Sequence, residues 1–233
     1  VATSGLLSAK HGTIWIAFLT RGSIFMDENL FRSLFDRPFR WPQQGDEPLR
    51  KTNNTQHQAE ISQDASERMV LLEAGFMRAG KLLTGSALSD RQIRWELTLP
   101  ALYLYRHAIE LGMKSTIATY GAAFGVDCPE LHTTHNLKTL WKAFQGLLDA
   151  ISHPGEEEGN SAAERVVMAF HEWDKHGDAF RYATQRNGSP IILRDYFIDL
   201  EQLRDVMEGF ENFLSGVDGA LDAAQSEDRG MSA

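Results

Sequence analysis

A single cysteine, Cys128, stands in 233 residues, so no disulfide can form within the chain. Bridge-stabilised extracellular scaffolds are thereby excluded, and a reducing cytoplasm is the expected compartment. Long apolar runs are missing as well. The nearest, Thr13 to Leu19, is cut short by Thr20-Arg21 and falls below the ~18–20 residues of a membrane span. No small-residue cleavage pattern follows it, so no export signal is expected. Basic residues are in deficit: 23 Lys and Arg against 32 Asp and Glu give a net charge of −9. Such a chain does not coat nucleic acid by charge alone, although a local basic groove is compatible with it. Equally absent are a phosphate-binding glycine loop, a nucleophile-elbow serine and a His-Glu-x-x-His helix. Their absence removes the common hydrolase and nucleotide-kinase classes.

What is present is helical periodicity. From Pro100, suited to a first helical position, Leu102, Tyr105, Ile109, Met113 and Ile117 recur at helical spacing through Tyr120. Similar stripes predict helices over 56–83, with Asn54 or Thr55 as cap, over 137–151 behind Asn136, over 162–175 and over 199–223. Ser89-Asp90 is expected to open a short separate element carrying Trp95, and Pro154 to Asn160 reads as an acidic turn. Asn187-Gly188, flanked by Ala179–Tyr182 and Ile191–Leu193, is a hairpin signal. The expected fold is all-α: an antiparallel bundle of four to five long helices with a small β-hairpin inserted before the last. Residues 1–55 form an N-terminal extension with a short helix near 27–35 and an aromatic arm, Phe39-Arg40-Trp41-Pro42. Residues 1–25 differ in character from the rest, and Met26 is the expected natural start. Residues 56–223 form the helical domain and 224–233 a disordered tail.

Four groups of residues bear chemistry. Arg106, Glu110 and Lys114 follow at steps of four, so they share a helix face ~40° apart per step, with His107 beside them. They form either a solvated ladder of ion pairs worth ~0.2–0.5 kcal/mol each or a cleft in which Arg106 and Lys114 hold an anion oriented by Glu110. Arg165 and His171 sit on one helix, where six residues leave them ~120° and ~9 Å apart; a shared phosphate needs a helix irregularity or two subunits. Cys128, His132 and His135 are three potential zinc ligands in one loop, but a fourth has to come from elsewhere, Asp127 or His153, and no metal or other cofactor is expected. His135 fits better as a hydrogen-bonding group at the start of the next helix. Arg181, in GDAFRY, either anchors the hairpin to a helix end or completes an anion site.

YLYRHAIELGMK, then HNLKTLW, then GDAFRY and a terminal helix resemble bacterial HEPN-like helical proteins over roughly Trp95 to Val217, about half of the chain. The resemblance implies a helical bundle acting as a homodimer. It also implies a metal-independent endoribonuclease of a toxin, defence or RNA-processing system, whose Arg and His fall on Arg165 and His171. Val166 departs from the polar residue that active members place after the arginine. The alternative is a non-catalytic module binding a nucleotide, RNA or protein partner through Arg106, His107, Glu110, Lys114 and Arg181, with no membrane association.

Overall fold

Helix α1 spans Ala65–Ser89 and begins at the side-chain cap Asp64. Asp64 accepts the Glu67 amide at 2.8 Å, satisfying a group that a helix start leaves open, while the Glu67 carboxylate takes the Ser62 hydroxyl at 2.6 Å. The expected start at Gln56 is corrected. Asn54 instead closes a turn, its carbonyl accepting from His57 at 3.0 Å. The helix also runs through Thr84-Gly85-Ser86, expected to stop it. Thr84, Ser86 and Ser89 each donate to the carbonyl four residues back, so their hydroxyls are satisfied inside the helix.

In this computed structural model, residues 41–152, 155, 157–193 and 197–231 are described. The expectations for residues 1–25, the helix near 27–35 and Phe39-Arg40 lie outside them. The chain divides into two units, 1–50 and 51–233, and the five helices of the described residues belong to the second.

A short link, Asp90 to Ile93, leads into α2, Arg94–Tyr120. Arg94 tightens this corner, its Nε and Nη2 donating to the Ala87 and Leu88 carbonyls at 2.8 and 3.2 Å. Those acceptors belong to the last turn of α1 and have no partner within it. Trp95 therefore lies on α2 and not on a separate element, and Pro100 sits inside the helix instead of opening it. The proline removes the bond that the Glu96 carbonyl would accept; both residues are exposed, so water reaches that carbonyl.

The stripe Leu102, Tyr105, Ile109, Met113 and Ile117 is buried, as its spacing predicts. Burial extends around the helix, however, because α2 has neighbours on several sides: α1, α3 (Leu137–Ile151) and α5 (Leu200–Met231). Helix α4 (Glu157–Trp173) packs on α3 and α5. Asn136 caps α3 by accepting from Thr139 at 3.1 Å. Leu140, Trp141, Phe144, Leu147 and Leu148 enter the core, each apolar side chain contributing ~1.5–3 kcal/mol.

Two further boundaries and the hairpin differ from expectation. Helix α4 starts at Glu157, within the presumed acidic turn, since carboxylates in a first turn oppose the positive end of the helix dipole. Helix α5 continues to Met231, so the stretch expected to be a disordered tail is helical that far. The expected β-hairpin is not formed: among the described residues Thr184 and Pro190 make one isolated bridge and no strand. Asn187-Gly188 does turn the chain, with Gly188 at φ +83°. The ladder stops there because Pro190 has no N–H to give and residues 181–188 are exposed, leaving no buried face to align strands.

Candidate functional site

Arg106, Glu110 and Lys114 share one face of α2, but that face is inside the molecule. Their exposures are 2%, 1% and 8%, which replaces the solvated ladder with a buried charge network. Arg106 Nη1 donates to Glu110 Oε2 at 3.0 Å, and Lys114 Nζ to Glu110 Oε1 at 2.9 Å. Two further pieces of chain close on the guanidinium. Its Nη2 donates to the His135 carbonyl at 2.7 Å, just before α3. Its Nε, just beyond the end of α4, lies 3.1 Å from both the Asp174 carbonyl, to which it donates, and the buried Asp174 carboxylate, with which it pairs by charge. Arg106 thus ties the entrance of α3 and the exit of α4 to the central helix. Two carboxylates balance two cations, as a buried cluster requires.

The Glu110 carboxyl feels opposed forces. Burial alone would raise it, but hydrogen bonds from Lys114 and His135, with the charges of Lys114 and Arg106, hold it below the ordinary carboxylate range. The bond from His135 is made by Nδ1 at 2.9 Å, while 61% of the His135 side chain stays open to solvent. An ionised carboxylate only accepts, so Nδ1 carries the proton and a neutral His135 presents the lone pair of Nε2.

The turn after α4 is shaped around the same arginine. Asp174 Oδ1 accepts the Asp178 and Ala179 amides at 2.8 and 3.0 Å. Gly177 adopts φ +81°, and a Cβ there would lie 3.2 Å from Arg106 Nη1. Gly177→Ala is therefore expected to cost about 1–2 kcal/mol through backbone strain alone. Urea unfolding measures it, and an unchanged midpoint would show that the turn does not hold this geometry.

From that turn Arg181 reaches outward. Its Nε donates to the Gly177 carbonyl at 2.7 Å, and its guanidinium carbon lies 5.5 Å from the Tyr103 ring centre and 5.3 Å from that of Tyr182. Tyr103 stacks on His107 at 5.8 Å, and Phe76 meets His107 edge-on at 4.5 Å. Burial lowers His107 below its ordinary value, with Arg106, Lys114 and His135 adding to the effect against Glu110. The result is a row of rings that carries one cation, Arg181, next to the Arg106 network.

Arg165 and His171 have different surroundings. Arg165 is exposed and lines an apolar groove between α4 and α5, with Val166, Gln202, Val206 and Phe213. His171 faces different neighbours: burial lowers it first, then the charges of Lys175, Arg106 and Lys138. Its Nδ1 is buried with no hydrogen-bond partner among the described residues. The rotation along a regular helix accounts for the difference. Cys128 and His132 do not join His135 in a ligand set, and among the described residues no group of three or more His, Cys, Asp or Glu is disposed to hold a metal. No described helix is long and apolar enough to cross a membrane.

Sequence reasoning missed Asp174 and Gly177. One signal existed for the aspartate: an acid at a helix C-terminus opposes the helix dipole, so it needs another partner. Comparison with protein-family models, with characterised proteins and with solved structures found no significant match for this chain.

Proposed function

We propose that this chain binds a short phosphate-bearing ligand, single-stranded RNA or a nucleotide, on the face formed by Tyr103, His107, His135, Arg181 and Tyr182. The supporting observation is Arg181 placed against both Tyr103 and Tyr182, a cation between rings. Rings of this kind stack on bases, each stack worth ~1–3 kcal/mol, while a guanidinium pairs with phosphate. Arg106, Glu110 and Lys114 form the support of that face, not its contact surface, since they are buried and, with Asp174, their charges balance. The acidic whole molecule fits a local site touching one or two phosphates better than an extended track.

Fluorescence anisotropy with a labelled single-stranded RNA tests this directly. Arg181→Ala is expected to weaken binding at least ~10-fold and to reduce the salt slope by about one, whereas Arg165→Ala leaves both unchanged. Equal binding by wild type and Arg181→Ala would sink the assignment. The homodimeric endoribonuclease of the HEPN resemblance, acting through Arg165 and His171, needs a second subunit to unite the pair. Its mark would be cleavage lost in both Arg165→Ala and His171→Ala.

A further inference from the structure

A continuous apolar groove follows the seam between α4 and α5. Its first stretch is lined by Gly159, Arg165 and Phe213 and its second by Phe170 and Phe180, and the two share Val166, Ala169, Gln202 and Val206. Trp173 and Ile198 carry it into a third stretch, lined by Trp95, Ile192 and Phe197. The stretches measure about 650, 300 and 660 Å³ in that order. From Gly159 to Trp173 alone, α4 supplies a wall ~21 Å long at 1.5 Å per residue. Trp95, Ile192 and Phe197 are 76%, 81% and 81% exposed. Contiguous apolar surface left in water on this scale marks a place for a partner.

Its charge runs against that of the molecule. The chain carries −9, yet the charged side chains that line the groove, among the described residues, are three arginines and one aspartate. Arg165 belongs to the first stretch, and Arg91 and Arg94 to the third. Asp199, in the second, is already engaged: its Oδ1 accepts the Glu201 and Gln202 amides at 3.0 Å each, at the start of α5. Arg94 gives Nε and Nη2 to neutral carbonyls of α1 and so keeps its charge. The groove is therefore cationic at both ends and complements carboxylates placed there.

The lining also decides the backbone form of an occupant. Both walls are helices, whose main-chain groups bond within their own element, so an entering segment meets no row of free donors and acceptors. Buried there, it has to satisfy its own N–H and C=O groups, which a helix does and a lone strand does not. An acyl chain escapes that requirement, but Ala169, Gln202 and Gly209 stay exposed, so the groove is open on one side. Pockets for small ligands cover most of the ligand's surface. A helix needs cover on one face only.

We infer that this groove docks an amphipathic helix of a second protein, about four turns long, with one apolar face and carboxylates at its ends. Its apolar side chains, at i, i+3, i+4 and i+7, fill the seam of α4 and α5, while the carboxylates meet Arg165 at one end and Arg91 at the other. The groove shares no residue with the face of Tyr103, His107, His135, Arg181 and Tyr182 and does not depend on its reading.

The test is fluorescence anisotropy of the full chain with a labelled synthetic peptide of about 16 residues, leucine at those four positions of each repeat and glutamate at both ends. A second peptide keeps the leucines and ends in lysine. Wild type is expected to bind the glutamate peptide at least ~10-fold more tightly than the lysine peptide. Ala169→Glu, folded by circular dichroism, should lose ~10-fold or more in affinity, because it sets a charge against the apolar face. Arg165→Glu should bring the two peptides close to equal affinity. No peptide binding by wild type, equal affinity of wild type for both peptides, or full binding by Ala169→Glu overturns the inference. A chain that sediments as a dimer, dissociates on Ala169→Glu and binds neither peptide also overturns it, and gives the groove to a second copy instead.

Discussion

Replacing Arg106 by leucine should lower the unfolding free energy by about 3–5 kcal/mol, the cost of leaving buried charge without its partner. The exposed ladder read from the sequence predicts a loss of only ~0.2–0.5 kcal/mol per pair, so urea denaturation separates the two by an order of magnitude. The larger figure follows from what remains behind. Glu110 keeps Lys114 and the His135 ring, but Asp174 loses its only ion-pair partner among the described residues while its side chain stays 0% exposed. The His135 carbonyl and the Asp174 carbonyl each lose a donor too. Three segments are then untied at once: α2, the α3 entrance and the α4 exit. Replacing Arg106, Glu110, Lys114 and Asp174 together by apolar residues of similar volume should cost much less than Arg106→Leu, because no orphaned buried charge is left. A single-variant loss below ~1 kcal/mol would show that the network is solvated in solution.

This network has an acid limit. Because the folded Glu110 carboxyl is held below its ordinary 4.5, the stability it confers is complete above about pH 4.5. It is lost as pH falls through the depressed folded value.

The opposite pH dependence is expected at Glu73. This carboxyl lies on α1 against α2, where Gly112 makes room: a Cβ at that position would fall 3.1 Å from Glu73 Oε1. Burial, then the nearby charges of Asp218 and Glu211, push it up from 4.5 to about 7. The local cations and donors are already engaged elsewhere. Lys81 pairs with Glu211, and the Tyr120 hydroxyl donates to Asp218 at 3.0 Å. Between about pH 4.5 and 7 the folded chain keeps a proton that the unfolded chain releases, so stability falls as pH rises across that window. Glu73→Gln should remove this loss, stabilising the protein by on the order of 2 kcal/mol at pH 8 after allowance for partial solvent access. Near pH 4 it should change little. Thermal melts at the two pH values make the comparison; an equal shift at both would show that packing of the amide, not titration, is responsible.

How much of this was legible beforehand depends on the range of the interaction concerned. The α2 stripe, the Asn136 cap and the common face of Arg106, Glu110 and Lys114 follow from 3.6-residue periodicity and side-chain chemistry within a few positions. Such features need no knowledge of neighbours. Helix ends were read less well, because Thr84, Ser86 and Pro100 are breakers in isolation but are accommodated once hydroxyls bond backward or water reaches a freed carbonyl. The hairpin turn was visible in Asn187-Gly188; the ladder depended on a buried face that the fold does not provide.

By itself, then, the sequence determined an all-helical chain whose central helix carries a charged face, since local spacing and backbone preference decide both. Only the tertiary structure decided that this face is interior and that Asp174 and His135 complete it across 68 and 29 residues of sequence separation. Burial is a property of what packs alongside. The same i,i+4 ion pairs are a weak surface ornament when α2 has water beside it and the central fastening of the bundle when the segments before α3 and after α4 close over them.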